Sequence, residues 1–209
     1  MTGSLVLLSG GLDSAAAIHW ALENMAPVAA VGFDYMQRHG DREIGAAREI
    51  AAAAGVPFHV RRCADVLHRT GPLAGQGEPI LSAAASVVPS RNLLFLAMAA
   101  AVRGGADMLV VGCTLDDAAD YPDCRPEFLD AAAMALRASG APSLVISAPW
   151  VRSPKCDVVR WAHERPDAWR AIGMSWSCYE GRRTPCGLCP ACVVRARAFA
   201  HADLKDPAL

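Results

Sequence analysis

The chain has 209 residues, of which 53% are apolar and 20% are charged, so it can bury a core as one domain with at most a small appendage. This composition excludes an intrinsically disordered chain. The net charge of −1 gives no basic surplus for coating a nucleic acid or a membrane surface, and we expect no direct nucleic-acid partner.

The first third of the chain alternates short apolar runs with alanine-rich helical patterns. The run at residues 5–8 stops at a Ser-Gly-Gly turn, which is typical of a buried parallel strand. Strand–helix repeats of roughly 30 residues imply right-handed crossovers and a parallel sheet. Helices are predicted at 13–24 and 41–54, and further strands at 28–33 and 57–61.

The rest of the chain continues this pattern and then changes composition. From residue 175 onward it is rich in Cys, Gly, Pro and Arg. We therefore predict an open, mainly parallel, doubly wound α/β domain at 1–174 and a small C-terminal zinc knuckle at 175–209. The predicted elements are a loop at 70–90, helices at 91–103, 127–139 and 157–164, strands at 108–113 and 144–148, and an irregular, aspartate-dense segment at 114–125.

A phosphate-binding loop is predicted where the first strand meets the first helix. Glycine pairs let an anion approach backbone amides, and the following helix directs its unpaired N–H groups at the same anion. Neither a Walker A motif nor G-x-G-x-x-G is present, and the alternative is a plain Gly-Gly turn. The candidate pyrophosphate-binding residues are Leu8, Ser9, Gly10, Gly11, Leu12, Asp13 and Ser14.

Four of the eight cysteines have metal-ligand spacing. Cys178, Cys186, Cys189 and Cys192 follow the pattern C-x7-C-x2-C-x2-C, which suits a structural Zn²⁺ with four thiolates. An iron–sulfur cluster or redox cysteines are the alternatives. The N-terminus lacks the basic residues of a signal peptide, and the apolar stretch at 93–102 is about half of what a membrane span needs. We expect a cytosolic chain with no membrane partner, in which disulfides are not expected.

Several motifs together carry a resemblance to a known family. The string SGGLDS at 9–14 looks like the signature of the PP-loop ATP pyrophosphatases. With QRH at 37–39, RN at 91–92, YPDCR at 121–125, SCY at 177–179 and the cysteine triplet, the chain resembles the 7-cyano-7-deazaguanine synthase family of queuosine biosynthesis over residues 5–199. The family usually has glycine where this chain has Met36 and Ser90.

The resemblance implies a reaction and a set of roles. ATP would adenylate the carboxylate of 7-carboxy-7-deazaguanine, ammonia would give the amide, and a second adenylation would give the nitrile. It implies ATP, Mg²⁺ and one structural Zn²⁺, and a homodimer. Catalytic roles fall on Ser9, Asp13, Arg38 and Lys155, and substrate contacts on Gln37, Arg38, Arg91, Asn92, Asp120, Tyr121, Asp123 and Arg125.

Three other functions stay open on the sequence. A related PP-loop enzyme would attach a deazaguanine to an acceptor such as a protein terminus. A tRNA sulfur-transferase would need an RNA-binding part, which the short length and charge disfavour. A zinc-knuckle binding protein without catalysis would have no use for a pyrophosphate-binding loop.

Overall fold

Five parallel strands form the central sheet of the computed structural model, which describes residues 3–63, 67, 73 and 79–209. The strand order is β3-β2-β1-β4-β5, and every neighbouring pair is parallel. The prediction of an open parallel sheet is confirmed. The strands are β1 (Ser4–Leu7), β2 (Val28–Asp34), β3 (Phe58–Arg62), β4 (Met108–Val110) and β5 (Val145–Ser147).

Eight helices flank this sheet in the described part of the chain. Three of them, at Leu115–Asp120, Pro166–Met174 and Pro190–Ala202, were not predicted. The last two each begin with a proline at a position suited to the first helical turn. Counted over the described ranges, the helices are α1 (Leu12–Asn24), α2 (Gly40–Ala53), α3 (Arg91–Val102), α4 (Leu115–Asp120), α5 (Pro126–Ala138), α6 (Lys155–His163), α7 (Pro166–Met174) and α8 (Pro190–Ala202).

The segment at 114–125 is ordered, contrary to the prediction of an irregular stretch. Thr114 caps α4 through a capping box in which its hydroxyl accepts from the Asp117 N–H and the Asp117 side chain accepts from the Thr114 N–H. Reciprocal bonds of this kind satisfy helix-end donors that otherwise lack partners. A short 3-10 turn at Pro122–Cys124 follows. Of the loop predicted at 70–90, residues 70–72 and 74–78 lie outside the described residues, and Ala84–Ser86 forms a 3-10 turn.

Two hydrophobic cores lie on opposite faces of the sheet. Alternate residues of β1 supply them, with Val6 in the core beneath α1 and Leu5 in the core beneath α3. On the first face, Ala15, Ala16 and Ala17 of α1 are fully buried. Their small side chains allow close packing against the sheet. Helix α8 of the C-terminal part packs on α6 of the main part, and the division at residue 174 stays a prediction.

The apolar stretch Ala84–Val102 has the length and composition of a membrane-crossing helix. It is not one continuous helix, because α3 begins only at Arg91 and Ser90 has a left-handed φ of 61°. Leu96 and Ala99 of α3 are buried in the second core. Packing against the sheet therefore accounts for the apolar residues on the inner face of α3.

The strand order reverses direction at β1, which pairs with β2 on one side and β4 on the other. Open α/β sheets bind ligands outside the carboxyl ends of the strands at such a point. Gly112, just after β4, lies directly against the start of α1, where a Cβ would come within 2.7 Å of the Asp13 backbone. The fold thus brings the end of β4 onto the predicted phosphate loop.

Candidate active site

The phosphate loop is closed by its own serines. Ser14 Oγ donates to the Gly11 carbonyl at 3.0 Å and accepts from the Gly10 N–H at 3.2 Å. Ser9 Oγ lies 3.1 Å from Ser14 Oγ and accepts from the Gly11 N–H at 3.3 Å. These weak contacts occupy amides and hydroxyls that point to the start of α1. An incoming phosphate would exchange them for charge-assisted hydrogen bonds.

Gly10 is the position in this loop that only glycine fits. Its φ is 89°, and a Cβ would lie 2.2 Å from the Glu43 carbonyl oxygen of α2. A side chain would meet both backbone strain and a collision with a helix. The close approach places the first turns of α2 beside the phosphate loop.

A buried lysine joins the phosphate loop to α4. Lys155 Nζ donates to Asp13 Oδ2 at 2.8 Å and to Asp117 Oδ1 at 3.0 Å. Its backbone N–H donates to Asp116 Oδ2 at 2.7 Å, which fixes the first turn of α6 on α4. Asp13 Oδ1 is buried without a hydrogen-bond partner. The cluster therefore offers a cation and an open carboxylate oxygen beside the loop.

Charge in this cluster is unevenly balanced. Burial, with the nearby Asp117 carboxylate, raises the pKa of Asp13 to about 6 despite the opposing effect of Lys155. The two carboxylates raise the pKa of Lys155 although burial opposes this, so the lysine stays charged. Two carboxylates sharing one ammonium leave a site that gains from a further cation.

A cavity of about 270 Å³ opens beside the loop at the ends of β1, β2 and β4. Phe33 and Phe95 stack on one another at 4.4 Å in its wall. Arg91, Asn92 and Asp123 supply polar groups to the same cavity. Arg91 Nη1 donates to the Tyr35 hydroxyl at 3.4 Å, and Arg91 Nε is buried without a partner. Asn92 Nδ2 donates to the Asp123 carbonyl at 3.3 Å.

A smaller cavity of about 150 Å³ lies on the other side of the loop. Gly11, Asp13 and Asp117 line both cavities. The two spaces therefore form one cleft around the phosphate loop. Lys155 and Asp120 line only the smaller one of the two.

The QRH motif at 37–39, which follows β2, lies partly in the main cavity and partly outside it. Gln37 lines the main cavity but folds back, accepting from the Tyr35 N–H at 3.0 Å and donating to Glu43 Oε2 at 3.2 Å. Arg38 Nη1 pairs with Glu180 at 3.3 Å and lines neither of the two cavities. The structure therefore brings Gln37, but not Arg38, to the cleft.

The YPDCR motif is spread over both cavities and the surface. Tyr121 lines the smaller cavity, and its hydroxyl lies 2.6 Å from Ser86 Oγ and 3.4 Å from the Tyr179 hydroxyl. Arg125 is exposed, and its Nε donates to the Ala118 carbonyl at 3.0 Å. Asp123 of this motif reaches the main cavity, so its members are not all placed around one ligand position.

The two departures from the family pattern both have left-handed backbone. Met36 has a φ of 59° and Ser90 a φ of 61°. This is the region in which glycine avoids a steric penalty, which gives a physical reason for a glycine preference there. The Met36 side chain is 58% exposed and does not line the main cavity, so it does not narrow that cavity.

The four cysteines converge on one point. Their sulfur atoms all lie within 4.8 Å of one another, near the separation of about 3.8 Å that a tetrahedral Zn–S distance requires. The N–H groups of Glu180 and Cys186 donate to Cys178 Sγ at 3.4 and 3.3 Å. A hydrogen bond from Cys192 lowers the pKa of Cys189 to about 5. The donor set fits a metal ion bound by thiolates.

The cysteine segment is tied directly to the phosphate loop. The Trp176 N–H donates to the Gly10 carbonyl at 2.8 Å. Arg195 of α8 is buried, and it donates to Ser175 Oγ at 2.8 Å, to Ser177 Oγ at 3.1 Å and to both carboxylate oxygens of Asp206. A metal at the knuckle would therefore hold one wall of the cleft.

Sequence reasoning missed three residues of this site. Asp117 holds Lys155, and Glu43 and Tyr179 line both cavities. The aspartate density at 114–125 was the available signal for Asp117. No sequence signal identified Glu43, which reaches the cleft only because α2 packs against Gly10.

Comparisons with known proteins agree with this geometry. The family model described as "Queuosine biosynthesis protein QueC" matches residues 3–203. A 7-cyano-7-deazaguanine synthase of Laribacter hongkongensis is 38% identical over 99% of this chain and 93% of its own length. One of Methanoregula boonei is 32% identical over 98% of this chain and 97% of its own length.

Solved structures at 15% identity share the fold alone. The U34-tRNA thiolase NcsA of Methanococcus maripaludis, with its [4Fe-4S] cluster, matches with a TM-score of 0.50. The match covers 97% of this chain and 65% of the thiolase chain. A 4-thiouridine synthetase in complex with RNA and ATP also has a TM-score of 0.50, and this match covers 96% of this chain and 50% of the synthetase chain.

The match of the family model over residues 3–203 and the curated relatives show that this chain belongs to the QueC family.

Proposed function

We propose that this chain is a 7-cyano-7-deazaguanine synthase. It converts 7-carboxy-7-deazaguanine and ammonia to the nitrile, using ATP to activate first the acid and then the amide. The curated relatives that match it over nearly their full length carry this name. The observation that carries the proposal is the single cleft in which the phosphate loop separates an aromatic cavity from a charged one.

The phosphate end of ATP fits the loop and the start of α1. Amides of Gly10 and Gly11 and the hydroxyls of Ser9 and Ser14 are held there only by weak contacts with one another. Lys155 adds a positive charge that two carboxylates hold in place. Positioning and electrostatic stabilisation of this kind account for most of the rate in reactions of phosphoryl and adenylyl groups.

Asp13 is the residue best placed to hold Mg²⁺. Its Oδ1 is buried without a partner, and a carboxylate oxygen is a preferred Mg²⁺ ligand. Bound Mg²⁺ would neutralise phosphate charge and assist departure of pyrophosphate. Asp13 would contribute the ligand oxygen, while Lys155 and Asp117 would fix the orientation of its side chain.

The main cavity suits a flat, hydrogen-bonding heterocycle. The stacked rings of Phe33 and Phe95 give it an apolar wall, and Asp123 and Asn92 give it polar groups. A guanine-like edge presents N–H donors that a carboxylate accepts. Arg91, with its unpartnered Nε, is our candidate for the carboxylate of the substrate.

We propose an indirect role for the remaining predicted substrate residues. Arg38, Asp120, Tyr121 and Arg125 would act through the loops that carry them, since none of them lines the main cavity. Gln37 would shape the cavity by holding the turn after β2. Arg38 would hold the cysteine segment in place through its ion pair with Glu180.

We further propose a structural Zn²⁺ at the four cysteines, a homodimer and a cytosolic location. Four thiolates fill a tetrahedral shell and leave no position for a substrate. The metal would hold the segment whose Trp176 binds the phosphate loop.

The test is a direct assay with mass-spectrometric detection. Purified protein is incubated with ATP, Mg²⁺, ammonium and 7-carboxy-7-deazaguanine, beside the Ser9→Ala and Asp13→Ala variants. The nitrile with AMP, absent from both variants, is the expected result. AMP without nitrile would redirect the proposal to transfer onto another acceptor, and no nucleotide turnover by folded, metal-loaded protein would refute it.

A further inference from the structure

His39 occupies the wall of the main cavity at the start of α2. Its side chain is 2% exposed, and its Nε2 lies 3.4 Å from Glu43 Oε1. Its Nδ1 is buried and makes no hydrogen bond. A buried polar nitrogen without a hydrogen-bond partner is unfavourable unless a ligand supplies the missing hydrogen bond. The imidazole therefore has one nitrogen held by the protein and one left for a ligand.

Glu43 determines which nitrogen carries the proton. Gln37 Nε2 donates to Glu43 Oε2 at 3.2 Å, and this bond orients the carboxylate toward His39. A carboxylate beside Nε2 favours the tautomer with a proton on Nε2, which leaves the lone pair on Nδ1. Carboxylate–histidine pairs of other enzymes orient a catalytic histidine in the same way, but there the carboxylate holds Nδ1 and Nε2 is the base.

The groups that face the imidazole favour its protonation on balance. Burial lowers the pKa of His39, but the Glu43 carboxylate more than offsets this, and the pKa is raised overall. Arg91 of α3 acts against protonation, and the backbone of Tyr179 favours it from outside hydrogen-bonding geometry, since Nδ1 has no hydrogen-bond partner. The Tyr179 ring lies 5.3 Å from the imidazole ring. The site thus makes His39 a stronger base than an ordinary histidine.

The proposed reaction requires a base in this cavity. After the amide oxygen attacks ATP and pyrophosphate leaves, the carbon carries an O-adenylyl group and an NH₂ group with a positive charge. One N–H bond breaks to give the neutral imidate. The second N–H bond then breaks, its electron pair becomes the third carbon–nitrogen bond, and the carbon–oxygen bond breaks with its pair going to AMP. Two protons must be accepted, and no oxidant is needed.

We propose that His39, held by Glu43, is the catalytic base that removes the second of these protons through Nδ1, while the first, which comes from the cationic and more acidic group, passes to water. This inference rests on the proposed function. His39 lies in the wall of the cavity assigned to the heterocycle, and its partner Glu43 contacts Gly10 of the phosphate loop through its backbone carbonyl. The imidazole therefore lies in the wall of the cavity proposed for the heterocycle, at the start of the helix that approaches the phosphate loop. Glu43 is a positioning residue.

The test starts from the amide, 7-carboxamido-7-deazaguanine, so that only activation and dehydration are measured. Amide-dependent exchange of labelled pyrophosphate into ATP reports adenylation, and nitrile formation reports proton removal. In His39→Asn we expect exchange within about threefold of wild type and nitrile formation reduced by roughly 10²-fold or more. Equal loss of both rates would show that His39 only shapes the cavity, and unchanged nitrile formation would also overturn the proposal.

Glu43→Gln separates a base from a structural role without removing the imidazole. The acid limb of the pH profile for nitrile formation should move to lower pH, because the carboxylate that raises the pKa of His39 is gone. An acid limb that stays in place would assign it to another group, such as Asp13, and refute the proposal. If wild-type protein shows no pyrophosphate exchange with either the acid or the amide, the proposed function itself is refuted. This outcome differs from failure of the His39 proposal, because the wild-type protein still contains His39.

Discussion

Asp13→Asn should make the folded chain more stable at neutral pH while removing its activity. Asp13 is ionised at pH 7.5 in both states, but burial makes the ionised form less favourable in the folded chain. The rise of its pKa from 3.8 to about 6 corresponds to roughly 3 kcal/mol. We treat this as an upper limit, because the side chain keeps 18% exposure and the variant alters the contact with Lys155. A gain of about 1–3 kcal/mol in the free energy of unfolding is expected.

The sign of the pH dependence makes this prediction specific. A carboxyl whose folded pKa is raised destabilises the fold above that pKa, and the effect disappears below the unfolded pKa. Urea unfolding without Mg²⁺ should therefore show the largest difference between variant and wild type at pH 7.5 and little difference near pH 4. Mg²⁺ with ATP should stabilise wild type but not the variant. A variant less stable than wild type at pH 7.5 would refute the account of the Lys155 cluster.

Three further predictions test the loop, the backbone and the cysteine cluster. Gly10→Ala should destabilise the chain by about 3 kcal/mol or more and abolish ATP binding, since its Cβ would lie 2.2 Å from the Glu43 carbonyl oxygen. The control Gly45→Ala, with open space around it in α2, should raise the free energy of unfolding in urea by about 0.5–1 kcal/mol. Equal effects of the two substitutions would contradict the close approach of Glu43 to Gly10. Met36→Gly should raise the free energy of unfolding by about 0.5–1 kcal/mol by relieving a φ of 59°, whereas Met36→Ala should give no gain. Elemental analysis should find one zinc per chain, and Cys186→Ser or a strong chelator should lower both the metal content and the melting temperature. Full metal loading of the Cys186→Ser variant would argue against coordination by four sulfurs.

Much of the fold was predictable because its signals are local. Short apolar runs ending in turn residues identified the five strands, and their spacing with helices between them implied parallel pairing. The prediction failed at 114–125, where polar residues conceal helix α4 with a capping box from Thr114. It also failed for α7 and α8, because prolines that usually interrupt helices are here the first residues of helices.

The candidate site was predictable only where function is encoded in contiguous residues. The phosphate loop at 9–14 and the four cysteines would each bind one ligand through closely spaced residues, so the residue order itself carries the signal. The family resemblance named Lys155, but its pairing with Asp13 joins residues that are 142 positions apart and was not predicted. The pairing of His39 with Glu43 was hidden because an i, i+4 pair on a helix is ordinarily a surface feature. Here it faces a cavity.

The sequence by itself determined the sheet, the loop proposed to bind phosphates and the four cysteines proposed as metal ligands, because each depends on local backbone preference or on short, fixed spacing. Only the tertiary structure decided which polar residues share the cleft. Reversal of strand order at β1 brings the ends of β2 and β4 together, and the approach of α2 to Gly10 places Glu43 there. The environments of Asp13 and His39 depend on burial and on charges from distant segments. Burial and long-range electrostatics are properties of the packed molecule, and no single stretch of sequence contains them.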